Sequence, residues 1–480
     1  MSEKKMFYFL LFTMVALLLS ACAGSAAAEE AEDPYATIPE QLASELQVQV
    51  AYNDTDIVWR LSWEAENPGI YHDYLVYTDG EWKRQGDSGG GSDPLGLRED
   101  RVLIMLDPGT VSGFANQGCY VGCHDGMVSL DNEVGEDEIS TAGTYWPDDS
   151  EVSKYILDSR NGADWWDGKW SAVKTEDEVA ALQEAGVFLD LWHWRAHRSH
   201  PLGYSDNQYV LEGRNSDGTR SSFKTNFVSD TGLPEFMYDP VKTGFVALKF
   251  DDLINGRLSQ DDYYYLSTEN AVEFDPDYNW QNGDAIPRRL LREPEGSQAS
   301  IMSAGKWENG RWTVELMRSL SVETPTVSHP LVEGRTYNAA FAVHINATGA
   351  RWHYISQTQR VGIGTPADIS AVSFTGDAPN WQTIPTVLVP LYYPGQVTWD
   401  WLVSDAHPGA AEIRADSRSC ASCHGDSQDA VLKIAQASIY HETSGFSRST
   451  NWFLTLTAVV VFFSGVNFSM IKLYQNKTRK

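Results

Sequence analysis

The chain has 480 residues and a formal net charge of −30. That charge excludes binding driven by phosphate neutralisation, so nucleic acid is not a partner, and any charged partner surface is expected to be basic. The length is enough for a large buried core, the 17 Trp, 22 Tyr and 18 Phe suit a β-rich one, and only five cysteines are present.

The first segment is a leader. Lys4 and Lys5 precede an apolar run from Met6 to Leu19, followed by Ser20-Ala21-Cys22. Residues 1–21 read as a signal peptide of lipoprotein type, with cleavage before Cys22 and acylation of its thiol. Ordinary cleavage after Ala26-Ala27-Ala28 is the competing reading, and both export the body. Residues 22–34 form a small, acidic tether. Alternating segments follow: Leu46, Val48, Val50 and Tyr52, then Ile57, Trp59, Leu61 and Trp63. Arg101–Leu106, Phe245–Phe250, Trp312–Met317, Tyr337–Ile345 and Trp352–Ser356 behave similarly. Gly, Asn and Asp clusters separate them, which predicts a mainly β body over 35–395, an antiparallel β-sandwich with few helices. One helix is expected after the capping box Thr175-Glu176-Asp177-Glu178, with Gly186 ending it.

Within this body, Cys119-Tyr120-Val121-Gly122-Cys123-His124 places two thiols before a histidine. Two such thiols can bond to the vinyl groups of a haem, and the adjacent His124 can supply an axial nitrogen. Leu189–His197 reads as a strand on which His193, Arg195 and His197 share a face. His193 is the chosen opposite ligand, with Met127 in reserve, and Arg195 is suited to a haem propionate. A hydrogen-bonded core histidine is the plainer reading of His193. Asp275-Pro276-Asp277-Tyr278-Asn279 hints at a calcium loop, but Trp280 stands where an EF-hand needs Gly, which favours an acidic turn. Arg288, Arg289 and Arg292 read as a solvated patch.

Residues 396–446 carry the sharper signature. Cys420-Ala421-Ser422-Cys423-His424 is the C-x-x-C-H attachment site of a c-type haem, with Cys420 and Cys423 as thioether anchors and His424 as proximal ligand. His407, and after it His441 beyond a helical Ser427–Tyr440, are candidates for the opposite position. Two local disulfides are the competing reading of the cysteine pairs. Residues 450–474 form a predicted transmembrane helix, since Trp452–Ile471 contains no charged residue and 20 helical residues rise about 30 Å. A buried core helix is the competing reading. Lys472, Lys477, Arg479 and Lys480 put the tail, 475–480, in the cytoplasm and the body on the periplasmic or outer side of the cell membrane.

Several blocks together resemble the haem-binding subunit family of ethylbenzene dehydrogenase and dimethyl sulfide dehydrogenase. They are Gly118 through Met127, Asp190–His197 with Gly203–Asp206, Gly310–Met317, and Phe341–His344 leading to His353–Ser356. The resemblance spans roughly residues 40–360, in the family's order. It implies a β-sandwich that carries one haem and exchanges electrons with a molybdenum enzyme. Its best-known members hold a b-type haem between Met and Lys; here Cys119, Cys123 and His124 stand at the corresponding place.

The expected function is therefore a membrane-anchored, dihaem c-type cytochrome, with one haem c at Cys420/Cys423 and a second at Cys119/Cys123. It would pass electrons between a membrane partner, such as a quinol-oxidising complex, and a periplasmic oxidoreductase. An electron-transfer subunit is favoured over an independent catalyst. The rivals are a haem enzyme with an open iron site and a ligand-binding sandwich with a single haem.

Overall fold

The computed structural model of the chain describes residues 43–86, 97, 99–121, 155–161, 173–345 and 353–392. The leader, tether, C-terminal haem segment, apolar helix and tail fall outside these residues. Among the described residues, no helix is long and apolar enough to cross a membrane.

The body is mainly β. Its principal strands are β1 (Ala43–Tyr52), β2 (Asp56–Glu64), β3 (Arg101–Asp107), β4 (Leu189–Arg195), β5 (Tyr204–Val210) and β6 (Ile301–Glu308). They continue with β7 (Arg311–Ser319), β8 (Thr336–His344), β9 (Tyr354–Ser356), β10 (Gln359–Ile363), β11 (Ile369–Ser373) and β12 (Val387–Tyr392). Hydrogen bonding runs β1-β2-β7-β6-β5-β4-β3-β8-β10-β11 and returns from β11 to β1. The result is a barrel-like ring. A second bridge, β8-β9-β12-β1, links the other halves of β8 and β1.

This corrects the expected antiparallel sandwich in two respects. The sheet closes on itself, and β11 runs parallel to both β1 and β10. Alternation in a sequence reports which face of a strand is apolar. It carries no information on the strand's neighbour or direction, and closure is what removes exposed edges.

The core follows from the period of two. Leu46, Val48 and Val50 on β1, Ile57, Trp59, Leu61 and Trp63 on β2, and Trp312, Val314 and Leu316 on β7 are all 0–1% exposed. Trp192 and Trp194 on β4 meet them from across the barrel. Trp194 lies edge-on to Trp63 and Trp312, with centroids 6.0 and 5.2 Å apart, a favoured aromatic geometry. Strand β7 alternates between buried and half-buried positions, and β6 beyond Ile301 between half-buried and exposed ones, as expected where one face meets solvent. Strands β3 and β4 are buried at every position, so a second layer must cover their outer face.

The helix Glu176–Glu184 begins at the expected capping box. Thr175 N donates to Glu178 Oε2 at 3.0 Å, and Glu178 N donates back to Thr175 Oγ1. Phe245–Phe250 is not a strand. Only Leu248–Lys249 pairs, and Phe250 opens the helix Phe250–Ile254, whose first turn holds Asp251 and Asp252 where the helix dipole favours acids. The predicted strand 189–197 stops at Arg195, whose backbone N–H donates to Ser199 Oγ at 3.1 Å, so His197 lies in the following turn. Arg288 and Arg289 are not a solvated patch, since both pair with the fully buried Asp73. In the Asp275 turn, Trp280 stacks on Phe274 and its Nε1 donates to Asp275 O at 3.0 Å.

Candidate functional site

Register across β8, β3 and β4 puts one set of side chains on the outer face of the barrel. His344 pairs with Arg101 and Arg101 with Arg195. One step along, Ala342 pairs with Leu103, Leu103 with His193, and His193 with Asp206 of β5. A further step brings Ala340, Met105 and Leu191 together. Each strand thus runs from apolar to imidazole or guanidinium in the same direction.

The second layer closes over the apolar end. Cys119, 3% exposed, is buried in one cluster with Leu103, Met105, Val111, Phe114, Leu189, Leu191, Ala340, Ala342 and Ile355. The turn that carries it, Gly118–Val121, approaches closely because Gly118 has no side chain. A Cβ there would stand 3.0 Å from Thr358 Oγ1 and 3.4 Å from Ala340, and its φ of +54° lies where glycine is favoured. Cys119 therefore reaches the same sheet face as His193. Cys123, His124 and Met127 lie outside the described residues, as do Cys22, His407, Cys420, Cys423, His424 and His441.

His193 is 3% exposed. Arg195 Nη2 donates to its Nδ1 at 2.9 Å, and its Nε2 has no hydrogen-bond partner among the described residues. Burial, then the nearby Arg195, Arg214, Arg101 and Arg198, hold its pKa well below the usual histidine value, so the ring is neutral. A neutral imidazole that accepts at Nδ1 carries its proton on Nε2. As placed, the ring offers a donor rather than a lone pair. To bind iron it would need Arg195 to turn away.

Two further imidazoles sit on this face. His344 ends β8 and His353 precedes β9, both 4% exposed, with rings stacked at 4.8 Å and 16°. In the sequence they stand only within the Phe341–His344 and His353–Ser356 blocks. Their signal was available, because the apolar alternation of Ala340 and Ala342 continues to His344 on the same face. His197 is fully buried elsewhere, with Nδ1 on the carbonyl of Ile70 at 3.0 Å.

A charged rim borders the face. Arg195 is ion-paired with Asp206, whose Oδ1 also accepts from Ser222 Oγ at 2.9 Å. Glu99, fully buried, receives Arg101 Nε at 2.9 Å and Arg198 Nη2 at 2.6 Å. Burial alone would raise the Glu99 carboxyl; Arg198 and Arg101 overcome it and hold it well below the usual range. A thiol and an apolar floor at one end, with imidazoles and guanidiniums at the other, match the vinyl edge, the iron and the propionates of a c-type haem, so the residues fit that group. Among the described residues, no group of three or more His, Cys, Asp or Glu is arranged to hold a bare metal ion.

Comparison with known proteins adds two findings. A family model described as ethylbenzene dehydrogenase matches residues 26–356. Cytochrome c-552 of Stutzerimonas stutzeri is 31% identical over 109 residues, which make up 22% of this chain and 36% of that protein. The chain thus matches about a third of the length of that relative.

Proposed function

The chain belongs to the ethylbenzene dehydrogenase family, and on that premise we propose that it is a membrane-anchored, dihaem c-type cytochrome that carries electrons. Cys119, beside the outer face of β3, β4 and β8, would hold the first haem together with Cys123, and His124 would ligate its iron. The second is held by Cys420, Cys423 and His424 in the 396–446 segment. The observation that carries this reading is the burial of Cys119 in one apolar layer with the sheet face that bears His193, His344 and Arg101. The partial match to a cytochrome c supports haem c as the cofactor.

Bound haem supplies one-electron exchange at iron. The chain's own residues exclude water through Leu103, Met105 and the alanines, orient the ring edge through Cys119, and place cations beside it. Cys22 acylation and a Trp452–Ile471 span would tether the body at the periplasmic side of the cell membrane. His424 is 28 residues before Trp452, which keeps the second haem near the bilayer. A membrane quinol-oxidising partner at that end and a periplasmic oxidoreductase, of the molybdenum class that the family resemblance implies, complete the route.

The test is haem staining after denaturing electrophoresis of full-length protein matured in a host competent for cytochrome assembly. The Cys420→Ser, Cys423→Ser protein is expected to keep its stain, and adding Cys119→Ser with Cys123→Ser removes it. An unstained wild-type protein overturns the assignment. Rapid carbon monoxide binding by the reduced protein would argue for an open-site enzyme instead of a carrier.

A further inference from the structure

We infer that Arg101 and Arg195 take the propionate edge of a porphyrin whose vinyl edge is tied at Cys119, so that these two guanidiniums help to set the potential of the first haem. This rests on the reading of a haem at Cys119. A c-type porphyrin is chemically polarised: thioether bonds form at the vinyl edge, and two carboxylates leave from the opposite side. The sheet face is polarised in the same sense. Along β3 the order is Met105, Leu103, Arg101; along β4 it is Leu191, His193, Arg195; along β8 it is Ala340, Ala342, His344. Cys119 packs with the apolar members. Ala340 and His344 are four strand residues apart, about 14 Å at the usual rise.

At the cationic end three guanidiniums, Arg101, Arg195 and Arg198, share two carboxylates, Glu99 and Asp206, which leaves positive charge for a further anion. Arg195 is 3% exposed; Asp206 and His193 take its two Nη groups, and its Nε has no hydrogen-bond partner among the described residues. A buried, incompletely matched guanidinium is costly, and planar guanidinium groups are the preferred partners of carboxylates. Arg198 and Arg101 already share Glu99, which fixes Arg101 in place at the rim. His193 is then a positioning residue: its Nδ1 holds the Arg195 guanidinium at 2.9 Å.

The experiment uses the full chain carrying Cys420→Ser and Cys423→Ser, so that only the first haem is read. The midpoint potential is measured by spectroelectrochemistry for this protein and for added Arg195→Gln, Arg195→Lys and Arg101→Gln. Removing a cation beside the propionates favours ferric iron, so both Gln variants shift downward while Arg195→Lys stays near the parent. The axial-ligand bands stay unchanged in all of them, which a mere packing role would not ensure. Stained Gln variants with the parent's potential overturn the inference. If Arg195→Gln does not accumulate, Arg101→Gln against Arg195→Lys decides by the same criterion. Absence of stain in the parent background instead defeats the haem at Cys119, a separate failure.

Discussion

Arg318 is 2% exposed inside the barrel. Its Nη1 meets Asp190 Oδ2 at 2.8 Å, its Nη2 donates to His329 O at 2.8 Å, and its guanidinium lies 4.5 Å from the Trp192 ring centre. Such a pair adds little over a well-packed apolar pair, but breaking it strands a buried charge. Arg318→Leu is therefore expected to cost about 3–5 kcal/mol in urea unfolding. Arg318→Leu with Asp190→Leu should recover much of that loss. Equal destabilisation in the single and double variants would show that the packing around Trp192 matters more than the charge.

At the scale of elements, the turn between β6 and β7 carries a clear cost. Asn309 and Gly310 have φ of 54° and 78°, both in the left-handed region. This is the two-residue hairpin that Asn-Gly favours, because it matches the twist of the strands it joins. Gly310→Val forces a β-branched side chain into that region, and the hairpin should lose about 1–2 kcal/mol, read from the urea midpoint. Asn309→Gly should change it far less. The same turn shows what was legible. Alternation located β1, β2, β3, β7 and β8 to within a few residues, because each has one consistently apolar face. It failed at Phe245–Phe250, where Asp251 and Asp252 start a helix, and it could not report that β8 and β1 each serve two neighbours.

At the scale of the whole molecule, spacing and period single out Cys119 and His193, and the fold puts both against one sheet face. The stacking of His344 on His353 and the Arg101–Arg195 rim depend on pairing between distant strands, which no local pattern encodes. Burial of so many histidines also makes stability depend on pH. Burial lowers the pKa of His197 from 6.5 to about 4. Because the folded value is depressed, the unfolded chain binds more protons between these values. The stabilisation is fully present above pH 6.5 and is lost as pH falls towards 4, on the order of 3 kcal/mol for this one ring. Asp73 and Glu99, also held low in the fold, keep their contribution above the ordinary carboxylate range and lose it as pH falls through and below that range, so their window adjoins that of His197 on the acid side. Urea midpoints taken at pH 7.5, 6.5, 5.5 and 5.0 should fall across the acid side of this series. His197→Phe should be less stable at pH 7.5, having left the Ile70 carbonyl without its donor, and yet lose less on acidification, by close to one proton's worth of slope. Parallel pH profiles for the two proteins would mean that His197 is already protonated in the fold, and that its buried Nε2–H has found an acceptor.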